Sequence, residues 1–176
     1  MNKFFPVILL AILSLFGCTG SPEGVYPVTS FQLPAYLGKW YEIARLDHSF
    51  ERGMSSVTAT YSMRDDGGVE VLNKGFKEDG EAWSEAEGKA YFVESPDVGH
   101  LKVSFFGPFY GSYIIFELDT VDYQYAFISG MNTDYLWLLA RTPTVSAELV
   151  EHFIQSASAL GFDTEQLIFV DHRQSQ

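Results

Sequence analysis

The sequence predicts an all-β chain, an eight-stranded antiparallel up-and-down barrel with one C-terminal α-helix packed on its outside. Three observations predict it. Beyond residue 38 the apolar residues alternate with polar ones at period two, in short runs cut by Gly, Asp and Pro turns. The strand–helix alternation of a doubly wound sheet does not occur. After Thr142-Pro143 the period changes once, to that of a helix. Short strands in sequence bury one face and lose their exposed edges by closing into a barrel; on pattern alone, a two-sheet sandwich is the alternative.

The first segment reads as an address. Lys3 precedes an apolar run from Phe4 to Phe16, which is shorter than the roughly 20 residues a spanning helix needs and contains Pro6. Residues 1–17 are therefore expected to be a signal peptide, and their removal leaves 159 of the 176 residues, with a side-chain charge of −13 in place of −12. Residues 18–30 are Gly-, Pro- and Ser-rich without periodicity and are expected to be a tether, spanning at most about 40 Å when extended. Residues 31–176 are expected to be the barrel domain with its helix.

The strands follow in order. Trp40–Arg45 is the first, and Ser56–Arg64 alternates Val57, Ala59, Tyr61 and Met63 against Thr58, Thr60 and Ser62. Asp65-Asp66-Gly67-Gly68 supplies the positive φ of a hairpin turn before Val69–Phe76. Trp83–Val93, Leu101–Phe106, Tyr113–Leu118, Tyr123–Ser129 and Tyr135–Arg141 complete the set. Leu149, Phe153, Ile154, Ala157 and Leu160 then share one helical face, with Ser146 as cap, Glu148 in the first turn and Gly161 as stop. Leu167–Val170 is a last short strand.

Composition narrows the function. With 11 Lys and Arg against 23 Asp and Glu, and no basic run, nucleic acid is excluded as a partner. A single cysteine excludes an internal disulfide framework and a four-cysteine zinc site. His48, His100, His152 and His172 are not paired at metal-ligand spacing, and the acidic run Glu78, Asp79, Glu81, Glu85, Glu87 reads as a solvated strand face. No P-loop, dinucleotide fingerprint or nucleophile elbow is present, so no metal, cofactor or catalytic residue is assigned. An enzyme on this barrel would need a general base in the cavity, such as Glu42 or His48. Aromatics are abundant, at 15 Phe, 10 Tyr and 3 Trp, and the small residues Ala86, Gly88 and Ala90 on the fourth strand leave room among them. An eight-stranded barrel can hold one small ligand, and such a lining favours an apolar one.

Leu15-Phe16-Gly17-Cys18 resembles the lipobox of bacterial lipoproteins, which are cut before the cysteine and acylated on it. Thr19 in place of Asp implies the outer membrane in that family. Gly38-Lys39-Trp40-Tyr41-Glu42 resembles the Gly-x-Trp signature of lipocalins, and Arg141 resembles the arginine of their third signature. Tyr123-Gln124-Tyr125-Ala126 stands at the second signature but lacks its Thr-Asp. Residues 40–45, 50–53, 58–62 and 105–111 are similar to the bacterial outer-membrane members of that family, which are similar to apolipoprotein D. The resemblance implies a contact between Trp40 and Arg141 at the closed end of the barrel. It also implies binding of a fatty acid or lysophospholipid by a protein held through Cys18 to the outer membrane, at its periplasmic face. By matching position, Tyr61, Asn73, Tyr113 and Trp137 are expected to line the cavity, and Val103 and Phe105 join them by strand alternation. A structural lipoprotein with a filled barrel is a further alternative, and monomer and homodimer both stay open.

Overall fold

The structure, a computed structural model, describes residues 19–173. Cys18 and the signal segment lie outside the described residues. The chain enters through a short helix, α1 (Leu33–Tyr36), begun by Pro34, whose fixed φ and missing N–H suit a first turn. Eight strands follow: β1 (Gly38–Arg45), β2 (Met54–Met63), β3 (Val69–Lys77), β4 (Ala82–Phe92), β5 (His100–Ser104), β6 (Gly111–Leu118), β7 (Tyr125–Ser129) and β8 (Leu136–Ala140). Each pairs antiparallel with the next, and β1 pairs with both β2 and β8, which closes the barrel. Closure excludes the sandwich.

The helix α2 (Ala147–Ala159) begins where expected, with Ser146 Oγ accepting the Leu149 N–H at 3.2 Å. Gly161, at φ +84°, takes the left-handed conformation that ends it. Its buried Phe153 and Ala157 pack on the outer faces of β1, β7 and β8, through Ala44, Phe127 and Leu138. A two-residue strand, β9 (Ile168–Phe169), adds to β1 beyond the point where β2 leaves it.

Two features departed from expectation, both for packing reasons. The segment read as a free tether lies along the barrel wall from Gly20 onward. Val25 is buried between barrel and helix, the Val28 N–H donates to Ile115 O at 2.8 Å, and Thr29 bridges to Val98. Three apolar side chains, Val25, Val28 and Phe31, outweigh the Gly/Pro composition that suggested a linker. The small residues of β4 also leave less room than expected, because the Phe105 ring occupies the space beside Gly88. A Cβ there would stand 2.8 Å from the ring.

A bulge in β1 matters for the site. Opposite β8, Glu42 pairs with Leu139 and Ala44 with Leu138, so Ile43 is the extra residue. The slip inverts the alternation. Ala44 turns out to the helix, and Arg45, opposite the inward Trp137, turns in.

Candidate ligand-binding site

One end of the barrel is plugged. Trp40 is fully buried there, its Nε1–H donating to Tyr36 O at 2.7 Å. The Arg141 guanidinium lies 3.9 Å from the Trp40 ring centroid. It also donates to the carbonyls of Ala35, Tyr36, Leu37, Lys39 and Tyr123, at 2.8–3.2 Å. One side chain thus joins α1, β1 and the β6–β7 loop. Gly38, at φ +96°, makes the turn between α1 and β1 that a side chain would strain. The loop lacking Thr-Asp still closes this end, since Tyr123 Oη accepts the Gln32 N–H at 3.0 Å.

Above the plug lies a narrow chamber with about 860 Å³ of space between atoms, open solvent included. All six residues expected to line it do so: Tyr61, Asn73, Val103, Phe105, Tyr113 and Trp137. Phe31, Leu33 and Tyr36 line it as well, and sequence reasoning missed them. The signal was present in Phe31-Gln32-Leu33-Pro34-Ala35-Tyr36, an apolar turn opened by proline and set just before the first strand. The hydroxyls of Tyr36 and Tyr61 each meet that of Tyr113, at 2.7 and 2.8 Å. Burial holds all three above their ordinary pKa, so they are neutral hydrogen-bonding groups in an otherwise apolar floor.

A second, wider chamber of about 1420 Å³ opens toward solvent between the β3–β4 strands and the β5–β6 loop. Phe106 and Phe109 line it and remain 79% and 78% exposed, an apolar entrance.

One wall of the inner chamber is ionic. The bulge places Arg45 Nη1 2.6 Å from Glu42 Oε1, with both side chains almost wholly buried. Arg45 Nη2 donates to the backbone carbonyls of Glu51 and Met54 at 2.9 and 3.1 Å, which ties the β1–β2 loop to the lumen. Glu51 Oε2 accepts the Trp137 Nε1–H at 3.2 Å and lies 3.1 Å from His48 Nε2, off the line a ring N–H bond needs. Burial, and after it the Glu51 charge, pushes the Glu42 carboxyl well above its ordinary 4.5, against the pull of Arg45. Burial pushes Glu51 up too, but His48, Trp137 and Arg45 outweigh it and hold that carboxyl below 4.5.

A raised carboxyl contributes stability that is complete below the ordinary value and is lost as pH climbs toward the folded-state value. Glu51 works in the opposite sense, losing its contribution on acidification. Urea midpoints of the wild type should therefore fall as pH rises above 4.5, and Glu42→Gln should flatten that fall while leaving the acid limb in place. Parallel wild-type and variant profiles would contradict the buried placement of Glu42.

The fold agrees with what comparison finds. The model of the lipocalin-like domain matches residues 31–172. The chain belongs to the lipocalin family. It is 59% identical over 166 residues to outer membrane lipoprotein Blc of Vibrio cholerae, covering 94% of this chain and 97% of that one. The Blc protein of Escherichia coli is 52% identical over 149 residues, covering 85% and 84%. Bovine apolipoprotein D is 32% identical over 181 residues, covering 93% and 94%. Among solved structures, insecticyanin from the tobacco hornworm Manduca sexta superposes with a TM-score of 0.67 at 23% identity, over 86% of each chain, which is a likeness of fold. Lipocalins in general bind small hydrophobic ligands, and the chamber of this lipocalin is lined largely by apolar and aromatic side chains.

Proposed function

We propose that this lipocalin is a binding and carrier protein of the cell envelope, without catalytic activity, that takes the tail of one fatty acid or lysophospholipid into its barrel. The observation that carries the reading is the narrow chamber walled by Val57, Val71, Ala90, Leu101, Val103 and Leu139, among others, beyond which Phe106 and Phe109 line the wider outer chamber. Each methylene moved into it gains about 0.8 kcal/mol before ordering costs. A filled structural barrel fits that chamber poorly. Glu42 pairs with Arg45, and His48 lies 3.1 Å from Glu51, so both candidate bases sit beside other ionisable side chains of the chamber wall.

Anchoring through Cys18 at the outer membrane is part of the same reading, supported by the lipobox and by the likeness to outer membrane lipoprotein Blc. Ser112 Oγ donates to Gly20 O at 2.7 Å, so only Thr19 lies between Cys18 and chain packed on the barrel. At about 3.8 Å per residue, the domain would ride close against the bilayer. Cys18→Ser is expected to release a folded, soluble protein from the membrane fraction with its ligand affinity unchanged, because the acyl chains supply the attachment. Fractionation followed by ligand titration on tryptophan fluorescence checks both halves. A variant that stays with membrane after a salt wash would overturn the anchor, and saturable quenching by no single-chain lipid would overturn the carrier.

A further inference from the structure

The strap along the barrel wall has a direction. Ser112, the second residue of β6, bonds Gly20. Farther along the same strand Ile115 O accepts the Val28 N–H, and the Phe31 N–H then donates to Asp97 O before the chain turns into the plug. The chain therefore meets the barrel at the end opposite the plug. Cys18 stands two residues before Gly20, a reach of about 7 Å. From Ser112 to Leu118, at the plug end of β6, the strand climbs about 20 Å. The anchor cannot reach the plug end. The unplugged end also carries Phe106 and Phe109, the two most exposed phenylalanines among the described residues. They bracket one tight turn just before β6, the Phe109 N–H donating to Phe106 O at 3.2 Å. Half-exposed Phe50 of the β1–β2 loop lines the same outer chamber. At the plug end, by contrast, the exposed Val121 sits within Asp119-Thr120-Val121-Asp122, whose carboxylates keep that loop in water.

We propose that the barrel stands with its unplugged end on the bilayer that holds the anchor, with Phe106 and Phe109 seated in the interfacial layer, and takes its lipid directly from that bilayer without a passage through water. The proposal rests on the anchor at Cys18 and on the carrier reading. Aromatic side chains favour the membrane–water interface, and an exposed apolar cluster on a water-soluble fold marks a contact surface. Two rings would not hold a free protein on a membrane. Beside an anchor they need only set its orientation, because the attachment already supplies the proximity. The acidic turn Glu78-Asp79-Gly80-Glu81 is exposed at the same end, so anionic lipid does not draw the barrel down. The contact is apolar and indifferent to salt.

The test uses the full lipid-anchored protein in phosphatidylcholine vesicles, with an environment-sensitive label on Phe109→Cys or on Val121→Cys. With Cys18 acylated, the new thiol is the only one to label. Lipids carrying a spin label on the acyl chain should quench the label at 109, and aqueous iodide the label at 121. Salt or added phosphatidylglycerol should change neither. Loading with lysophosphatidylcholine from the same vesicles is then followed by tryptophan fluorescence. A path through water would slow loading about fourfold for each added methylene, whereas direct uptake should hold the rate within about twofold. A label at 109 open to iodide and silent to the lipid quencher would overturn the orientation. One shielded from both would overturn it too, and would assign the face to a second copy of the chain. A fourfold slope would overturn direct uptake. Protein that does not float with the vesicles would overturn the anchor and this proposal with it. Failure of any single-chain lipid to load would overturn the carrier reading and direct uptake, while the quenching still decides the orientation.

Discussion

Replacing Trp40 by alanine is expected to lower the unfolding free energy by about 3–5 kcal/mol, the range for fully buried large aromatics. The ring has no exposed surface and packs against Tyr36 at 4.7 Å between centroids. Its N–H also donates to the Tyr36 carbonyl, a bond the substitution removes and leaves to Arg141 alone. Arg141→Ala alone should cost less, because part of its fork faces solvent. Combined, the two losses should fall short of their sum, since the guanidinium lies on the ring and each single change already removes that contact. Denaturant midpoints with unchanged slopes give all four corners of the cycle. Additive losses would contradict the contact.

Arg45→Met is expected to cost about as much, roughly 3–5 kcal/mol, because removing one member of a buried ion pair strands the other. Here it strands the Glu42 carboxyl and the carbonyls of Glu51 and Met54, all of which Arg45 now satisfies. The loss should grow as pH rises, since an unpaired Glu42 resists ionisation more strongly still. Adding Glu42→Leu should recover much of it, because an apolar pair in place of a buried ion pair is often neutral. Urea unfolding of the single and double variants checks this. A loss below about 1 kcal/mol, the size of an exposed pair, would contradict the buried network.

The barrel was legible in the sequence because its evidence was repeated. Each strand carried its own alternation, and each turn its own Gly or Asp, as at Asp65–Gly68. Of the cavity residues, Val103 and Phe105 were legible from alternation, whereas Tyr61, Asn73, Tyr113 and Trp137 came from the resemblance; in the structure the register sets Asn73 opposite Ala59. The ionic wall was not legible. Arg45 falls on the outer face by strict alternation, and only the bulge at Ile43 turns it inward. A one-residue slip leaves no compositional mark. The strap from Gly20 to Phe31 was hidden differently, since most of it has the composition of a linker and it is held by three spaced apolar side chains and bonds to β6.

Native mass spectrometry of protein released from its own membrane, comparing wild type with Ala90→Phe, tests the proposed occupancy of the lumen by one single-chain lipid. Ala90 is a small residue of the chamber wall, 4% exposed, and a phenyl ring there would fill the path of an acyl chain. The expected result is a wild-type mass carrying one lipid of single-chain size and an Ala90→Phe mass without it. Bare wild-type protein, or equal lipid on both, would contradict the claim.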